Sequence, residues 1–487
     1  MTSTISAQLT LSSLQSPKST IKASEINEWL DDQEETFNYH KLPASLIKQI
    51  FESAGSSKKG TINGVSISAK SFQPKDGSPK CENEDRFNFQ KVDFGQGEWV
   101  AGFVFDGHFG PLVSNDAVQR IPLLLTTALT VLFQAKTSPT EEDISNVLSS
   151  TIEAYDKSLA QEFLETFPQE RMEDGSMTEQ ELDWRFADER NQQLAELVVN
   201  GSTVVVALLD AKKENLWIAN VGDAEAILGV KIDNEWSVES LAKQHNGFQK
   251  EAADELRELH PGESEVVLNG RVLGLIMVTK ALGDFHFKLP KVYADRIFFH
   301  ERSRIGFPPR YPDSFHRCLT PPYLTAKPHV MHKKFDPTKD GEERILVLAT
   351  DGLRERLDEL IKIKKKKAPE PAEELKEGVG KTEAPSMPTD LQPDREIDRL
   401  AIHLLAYQSF PSNTKAFSMS NPAEDERLSE ANTWMQNMLF ADHQDNLATS
   451  LIRNACGGKN DDQCSWRLTL EAPYKMQDDV TVVVFKF

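Results

Sequence analysis

From residue 61 to the end of the chain, apolar residues recur with two different periods. Short runs rich in Val, Ile and aromatics predict strands: WVAGFVFD (99–106), STVVVALLD (202–210), NLWIANVGD (215–223), RILVLATDG (344–352) and VTVVVFKF (480–487). Apolar positions spaced three and four apart predict helices at 111–135, 144–164 and 249–260. STVVVALLD and NLWIANVGD are joined by AKKE alone, too short for a crossover, so they read as an antiparallel hairpin. Strands and helices cluster separately, which predicts a layered α+β sandwich.

Three stretches break this pattern and read as insertions. Residues 165–194 are polar and acidic, 285–325 carry several Pro and aromatic residues without clear periodicity, and 362–396 are rich in Pro, Lys and Glu. The last cannot bury enough apolar surface to order itself, and its Lys364–Lys367 run reads as a solvated linker before a nuclear signal or an acidic-partner patch. Residues 1–55 form an N-terminal extension. Its first 24 residues are rich in hydroxyls and lack acids and Arg, and they read equally as a targeting segment or a disordered tail. At 487 residues the chain is long for one core, so one large domain with long insertions, or two domains, is expected.

Charge narrows the function. A net charge of −21 disfavours a phosphate-backbone binder, so no nucleic-acid partner is expected. Four scattered cysteines (Cys81, Cys318, Cys456, Cys464) suit reduced thiols in an intracellular compartment. The longest apolar run, IPLLLTTALTVLF (121–133), is too short to span a bilayer and fits a buried helix.

Carboxylates recur at strand ends. Asp106 follows GFVF, Asp223 follows WIANVG, Asp351 follows ILVLAT, Asp478-Asp479 precede VTVVVF, and Glu84-Asp85 precede another alternating run. One Asp-Gly after a strand is an ordinary turn. Several acids meeting at one sheet edge repel one another unless a cation or protons neutralise them. All-oxygen ligation suits hard Mg²⁺ or Mn²⁺ rather than zinc, and two such ions can lower the pKa of a shared water. Gly107, without a Cβ, lets its carbonyl approach a metal closely. His108 has the pKa to protonate a departing alkoxide.

ENED, FDGHFG, GSTVVVALLD, ANVGDAEA, VTKALGD, LATDGL and DDVTVVVF, in this order, resemble the motif series of the type 2C metal-dependent protein serine/threonine phosphatases. The resemblance runs from about residue 60 to the C-terminus, making 56–487 a catalytic domain. It implies a four-layer α/β/β/α sandwich, two packed antiparallel sheets flanked by helices. It also implies that Asp106 bridges two ions, that Gly107 and Glu84 join one of them with Asp85 holding a water, and that Asp351 and Asp478 hold the other. His108 would be the general acid, and a hydroxide shared by the ions would attack phosphorus in line. QHNGFQKEAADELRELHPGE (244–263), NGRVLGLIMVTKALGDFHFK (269–288) and PPYLTAKPHV (321–330) resemble the pyruvate dehydrogenase phosphatase branch. That implies a phosphoprotein substrate in a mitochondrial dehydrogenase complex and a mitochondrial matrix location, with cytoplasm or nucleus otherwise.

The chain departs from the family pattern at several positions. Phe109 replaces a second small residue, and Lys80 stands where many members place a phosphate-binding Arg, keeping the charge without the bidentate fork. Arg354 replaces a Trp, and Glu225 replaces a Ser-Arg arginine. Glu355 falls where a third-metal acid often lies, but the usual acid upstream of GST is missing, so two ions are expected without support for a third. Asp223 and Asp284 read as turn and cap formers, His245 and His286 as surface or packing histidines. Two other readings remain: a catalytically weak phosphatase-like scaffold binding protein partners, and a two-metal hydrolase of small phosphoesters.

Overall fold

The computed structural model describes residues 17–22, 26, 35–74, 82–95, 97–232, 235–336, 342–367, 394–409, 446–472 and 476–487. Lys80, Cys81, the first 16 residues and most of the 362–396 stretch lie outside the described residues.

The two main sheets use β1 (Ser56–Ile62), β2 (Val65–Phe72), β3 (Arg86–Asp93), β4 (Glu98–Phe105), β5 (Val204–Leu209), β6 (Asn215–Val221), β7 (Glu225–Ile232), β8 (Glu235–Ser240), β9 (His329–Lys334), β10 (Glu343–Ala349) and β11 (Val480–Lys486). One sheet has the order β9-β6-β5-β4-β3, the other β8-β7-β10-β11-β2-β1. Every pairing in both is antiparallel.

The period of two decides which side chains meet. In β5, Val204, Val206 and Leu208 join Phe103 and Phe105 on the outer face of the first sheet. Val205, Ala207 and Leu209 face the other way and meet Leu346, Leu348, Val483 and Phe485 of the second sheet. Both faces of β5 are buried, which is why its sequence is continuously apolar rather than alternating. Gly102 marks the close approach of the sheets, since a Cβ there would fall 2.2 Å from the Phe485 ring.

Helices cover both outer faces. On the first sheet lie α2 (Leu112–Ala135) and α3 (Glu141–Thr166), through Ile121, Leu125, Leu129, Ile144, Leu148 and Ile152. On the second lie α6 (Asp351–Lys367), α7 (Asp394–Ser409) and α8 (Leu447–Ala455), through Leu353, Leu357, Ile402, Leu405, Leu451 and Ile452. The remaining helices named here are α1 (Ala44–Ser53), α4 (Glu189–Val199) and α5 (Lys250–Leu259). The result is the four-layer α/β/β/α sandwich. α3 starts where Thr140 and Asp143 form a capping box and three acids fill the first turn, an arrangement that satisfies orphan N–H groups and the helix dipole.

α2 is longer than its apolar run suggested. Among the described residues it is the one helix long and apolar enough to cross a membrane, and here it packs on the first sheet and on α3.

The polar stretch 165–194 is helical. Gln169–Glu173 and Glu179–Phe186 precede α4, and Met172, Met177, Leu182 and Phe186 are buried in the first helical layer. Its acids face the next stretch: Glu179 accepts from Arg296 at 2.8 Å, and Asp183 from Arg302 at 2.7 Å. The 285–325 stretch folds as short turns around an aromatic cluster of Phe287, Tyr311, Phe315 and Tyr323, shared with Ala253 and Leu256 of α5. Short turns have no sustained period, so the pattern had nothing to read. Before residue 55, Lys18–Lys22 pairs with Thr36–His40 against Trp466 and Leu470, and Ile47 and Phe51 of α1 are fully buried. The described part of that stretch is therefore packed into the domain.

Candidate functional site

The chain leaves β4 at Phe105 and turns at Asp106, whose carbonyl accepts the Thr203 N–H at 2.8 Å. Gly107–His108 then pairs with Gly201–Ser202, which pairs in turn with Leu282–Gly283. This three-stranded patch carries His108 to Asp284, with Nε2 of the imidazole 2.6 Å from Oδ2 of the carboxylate. Gly201 leaves room for the pair, because a Cβ there would lie 2.1 Å from Nε2 and 2.3 Å from Oδ2. Asp284 has φ +52°, a left-handed conformation that Asp tolerates better than most residues.

Gly107 is equally constrained. A Cβ on it would fall 2.3 Å from the Glu84 carbonyl oxygen, which also accepts from Ser114 Oγ at 2.5 Å. The Glu84 N–H donates to Asp479 Oδ2 at 2.5 Å, and so the first half of the site is joined to the second.

In the second half, β10 runs through Thr350 into Asp351, the first residue of α6. Thr350 donates from Oγ1 to Asp85 Oδ2 at 2.9 Å, while its N–H reaches the Thr481 carbonyl at 3.0 Å. The buried Arg356 donates to the carbonyls of Gly352 at 2.5 Å and Asp478 at 2.6 Å, fixing the start of α6 against the loop before β11. Gly352 permits that approach, since a Cβ would lie 1.8 Å from the Asp479 carbonyl oxygen.

One carboxylate oxygen each from Asp106, Asp223 and Asp351 lies within 4.8 Å of the others. Asp223, on the turn between β6 and β7, is therefore part of the acid cluster and not only a turn former. Burial and then the Asp351, Asp85 and Asp478 charges push the Asp106 carboxyl well above the usual range. Burial followed by Asp478 does the same to Asp351, and burial followed by Asp479 and Asp478 to Asp85. Asp351 Oδ1 is buried without a hydrogen-bond partner among the described residues. Crowded carboxylates and an unpartnered buried oxygen, with no nitrogen or sulfur in the cluster, fit a hard divalent cation.

His108 answers to two opposing influences. Burial lowers its pKa, the Asp284 charge and hydrogen bond raise it, and the net shift is upward. His245 and His286 are both buried packing residues. Burial holds His245 at about 3 and His286 at about 4, so both are neutral.

Two departures from the family pattern meet each other. Arg354 Nε pairs with the buried Glu225 carboxylate, and Arg354 Nη2 lies 3.4 Å from Asp398 of α7. Phe109 adopts φ +60° and stacks on Phe307, ring centres 4.7 Å apart, linking the residue after His108 to the 285–325 stretch. Asn200, where an acid is usual, accepts the Leu112 N–H at 3.2 Å and helps cap α2. Glu355 is exposed, one turn beyond Asp351.

Sequence reasoning missed Asp223 as a cluster member, Asp284 as the His108 partner, and Asp479, Thr350 and Arg356 as supports. The repeated strand-end pattern contained Asp223. Asp284 closes the VTKALGD motif but read as a cap former, and nothing local marked Arg356.

The family description Protein phosphatase 2C matches residues 95–360, more than half of the chain. A protein phosphatase 2C homolog of Schizosaccharomyces pombe is 26% identical over 434 residues, covering 88% of this chain and 82% of that protein. The mitochondrial pyruvate dehydrogenase phosphatase 1 of Saccharomyces cerevisiae is 26% identical over 397 residues, covering 79% of this chain and 61% of that one. Its Homo sapiens namesake is 34% identical over 173 residues, covering 34% and 30%. With the sandwich, the acid cluster and this match together, the chain belongs to the metal-dependent protein phosphatase 2C family.

Proposed function

We propose that this protein serine/threonine phosphatase hydrolyses phosphoserine and phosphothreonine at the acid cluster, using two divalent ions, Mg²⁺ or Mn²⁺. The observation that carries the reading is the convergence of Asp106, Asp223 and Asp351 within 4.8 Å, from three separate parts of the chain. Asp106 would bridge the ions, Glu84 and the Gly107 carbonyl would hold one, and Asp351 and Asp478 the other, with Asp85 orienting a water. When bound, the ions supply the Lewis acidity that lowers the pKa of a water nucleophile and offsets phosphoryl charge. Asp284 accepts a hydrogen bond from Nε2–H of His108 and favours the protonated ring, so that Nδ1–H would be the proton donor to the departing seryl or threonyl oxygen. Lys80 would supply a charge for the phosphate.

The substrate reading is a pyruvate dehydrogenase-type complex in the mitochondrial matrix, supported by the names of the budding yeast and human relatives. Purified protein should release phosphate from a phosphothreonine peptide with Mn²⁺ or Mg²⁺, and chelation should stop it. Inert protein with either ion would favour a scaffold. Phosphorylated pyruvate dehydrogenase should be a better substrate than unrelated phosphoproteins, and a fusion of the first 60 residues should reach mitochondria.

A further inference from the structure

Asp284, the partner of His108, is held from behind by a buried ion pair that the reaction itself does not use. Asp156 of α3 and Lys288 have side chains only 10% and 8% exposed. Lys288 Nζ lies 2.9 Å from each Asp156 carboxylate oxygen and donates to the Ala281 carbonyl at 2.8 Å. Asp156 Oδ1 also accepts the Gly283 N–H at 2.8 Å. The three ammonium hydrogens therefore have three acceptors, and the carboxylate has a further donor on the backbone.

The strand between these contacts needs the support. Leu282–Gly283 pairs only with Gly201–Ser202, which pairs in turn with Gly107–His108. Ladders two residues long fix little by themselves. Gly283 and Asp284 both have positive φ, +71° and +52°, and for Asp284 that conformation persists only where its neighbours over-determine it. One such neighbour is Asn200, whose carbonyl accepts the Asp284 N–H at 2.9 Å. The other is the Asp156–Lys288 pair, which grips Ala281 and Gly283 just before Asp284.

The pair is anchored in the core. Ile152, Tyr155, Leu159 and Ala160 of α3 are buried over the first sheet, so the Asp156 carboxylate belongs to the helical layer and not to a loop. Lys288 closes a single turn that begins at Asp284, where the Phe287 N–H meets the Asp284 carbonyl at 2.9 Å and the Lys288 N–H meets the Phe285 carbonyl at 3.0 Å. A buried ion pair adds little net stability over apolar side chains of like volume, but charge-assisted hydrogen bonds fix direction. Contacts thus run from α3 to Gly283 at 2.8 Å and, one residue on, from Asp284 to His108 Nε2 at 2.6 Å.

We propose that Asp156 and Lys288 are positioning residues for the general acid: they set where the Asp284 carboxylate stands and so where the His108 ring points. Neither touches substrate. This rests on the phosphatase reading for its effect on rate but not for the clamp itself. Misplacing a reacting group by about 1 Å costs up to about a hundredfold in rate. Loosening the clamp weakens proton delivery and leaves the acid cluster in place, so the loss is confined to poor leaving groups.

The test compares a phosphothreonine peptide with para-nitrophenyl phosphate on one preparation of each protein, so that any unfolded fraction cancels from the ratio. Lys288→Met should lower peptide kcat by about tenfold and aryl phosphate kcat by less than about twofold. In a His108→Ala background the same change should cost nothing further on the peptide. An unchanged ratio, whether from no loss or from equal loss on both substrates, overturns the proposal while leaving the phosphatase reading standing, and so does a full additional loss on top of His108→Ala. Should Lys288→Met fail to fold, Asp156→Asn combined with it removes both charges and keeps an oxygen for the Gly283 N–H; a selective peptide loss there supports the proposal and an unchanged ratio overturns it. If wild type cleaves neither substrate, the phosphatase reading fails instead, and hydrogen exchange of the 281–284 amides decides the clamp. Exchange about tenfold faster there in the variant, with the Val204–Leu209 amides unchanged, supports it; equal exchange overturns it.

Discussion

His108 Nε2 and Asp284 Oδ2 lie 2.6 Å apart although 176 residues separate them in the chain. The contact exists because three dipeptide strands align Gly107–His108, Gly201–Ser202 and Leu282–Gly283. A proton donor to the leaving oxygen matters most when that oxygen is a poor leaving group. His108→Ala should slow phosphopeptide turnover by about a hundredfold, and aryl phosphate turnover far less. Asp284→Asn should act in the same direction, more weakly. Steady-state rates on both substrates check this, and equal losses would contradict the acid role.

Arg354 and Glu225 make a second long-range pair, with Asp398 beyond it. Removing one partner of a buried pair leaves the other charge without compensation, whereas replacing both is far milder. Arg354→Ala should therefore cost about 2–4 kcal/mol, and Glu225→Leu combined with Arg354→Leu less than that. Urea unfolding of wild type and these two variants decides; a double variant no more stable than Arg354→Ala would show that the two residues do not act as a pair.

His286 is buried with neither ring nitrogen hydrogen-bonded among the described residues. Its folded pKa is about 4, below the ordinary 6.5. Between these values the unfolded chain binds more protons than the folded one, so stability falls as pH drops from 6.5 toward 4. His286→Phe removes that loss and about 1 kcal/mol or more of unsatisfied polar burial. Its gain in Tm over wild type should be larger at pH 5 than at pH 7.5, in chelator at both. The same gain at both would mean that the ring does not titrate in this window.

Gly107→Ala should force the backbone off the Glu84 carbonyl, because the clash is with main chain and not with a side chain that can rotate. The expected result is a loss of about 1–3 kcal/mol in stability and a phosphatase rate near background. Thermal melting and phosphopeptide assays measure both, and full activity would mean that the 84–107 contact is not needed.

The strands and the long helices were legible because each buries one or two faces with a fixed period. WVAGFVFD, NLWIANVGD and VTVVVFKF all became strands. Asp223 was harder. A lone Asp after a strand has the same local signature whether it closes a turn or joins a cluster, and only the sheet edge distinguishes them. Asp284 gave still less, since its partner is set by the pairing of two-residue strands. Arg356 binds carbonyls, which leave no trace in sequence. The 169–199 helices carry enough acids to look like a solvated insertion, yet Met172, Leu182 and Phe186 anchor them.

The central claim is that Glu84, Asp106, Asp351 and Asp478 hold a pair of divalent ions. Anomalous scattering at the manganese edge, from crystals grown with Mn²⁺, tests it most directly. Two peaks flanking the Asp106 carboxylate, one toward Glu84 and Gly107 and one toward Asp351 and Asp478, are the expected result. No peak at these carboxylates under saturating Mn²⁺ would contradict it.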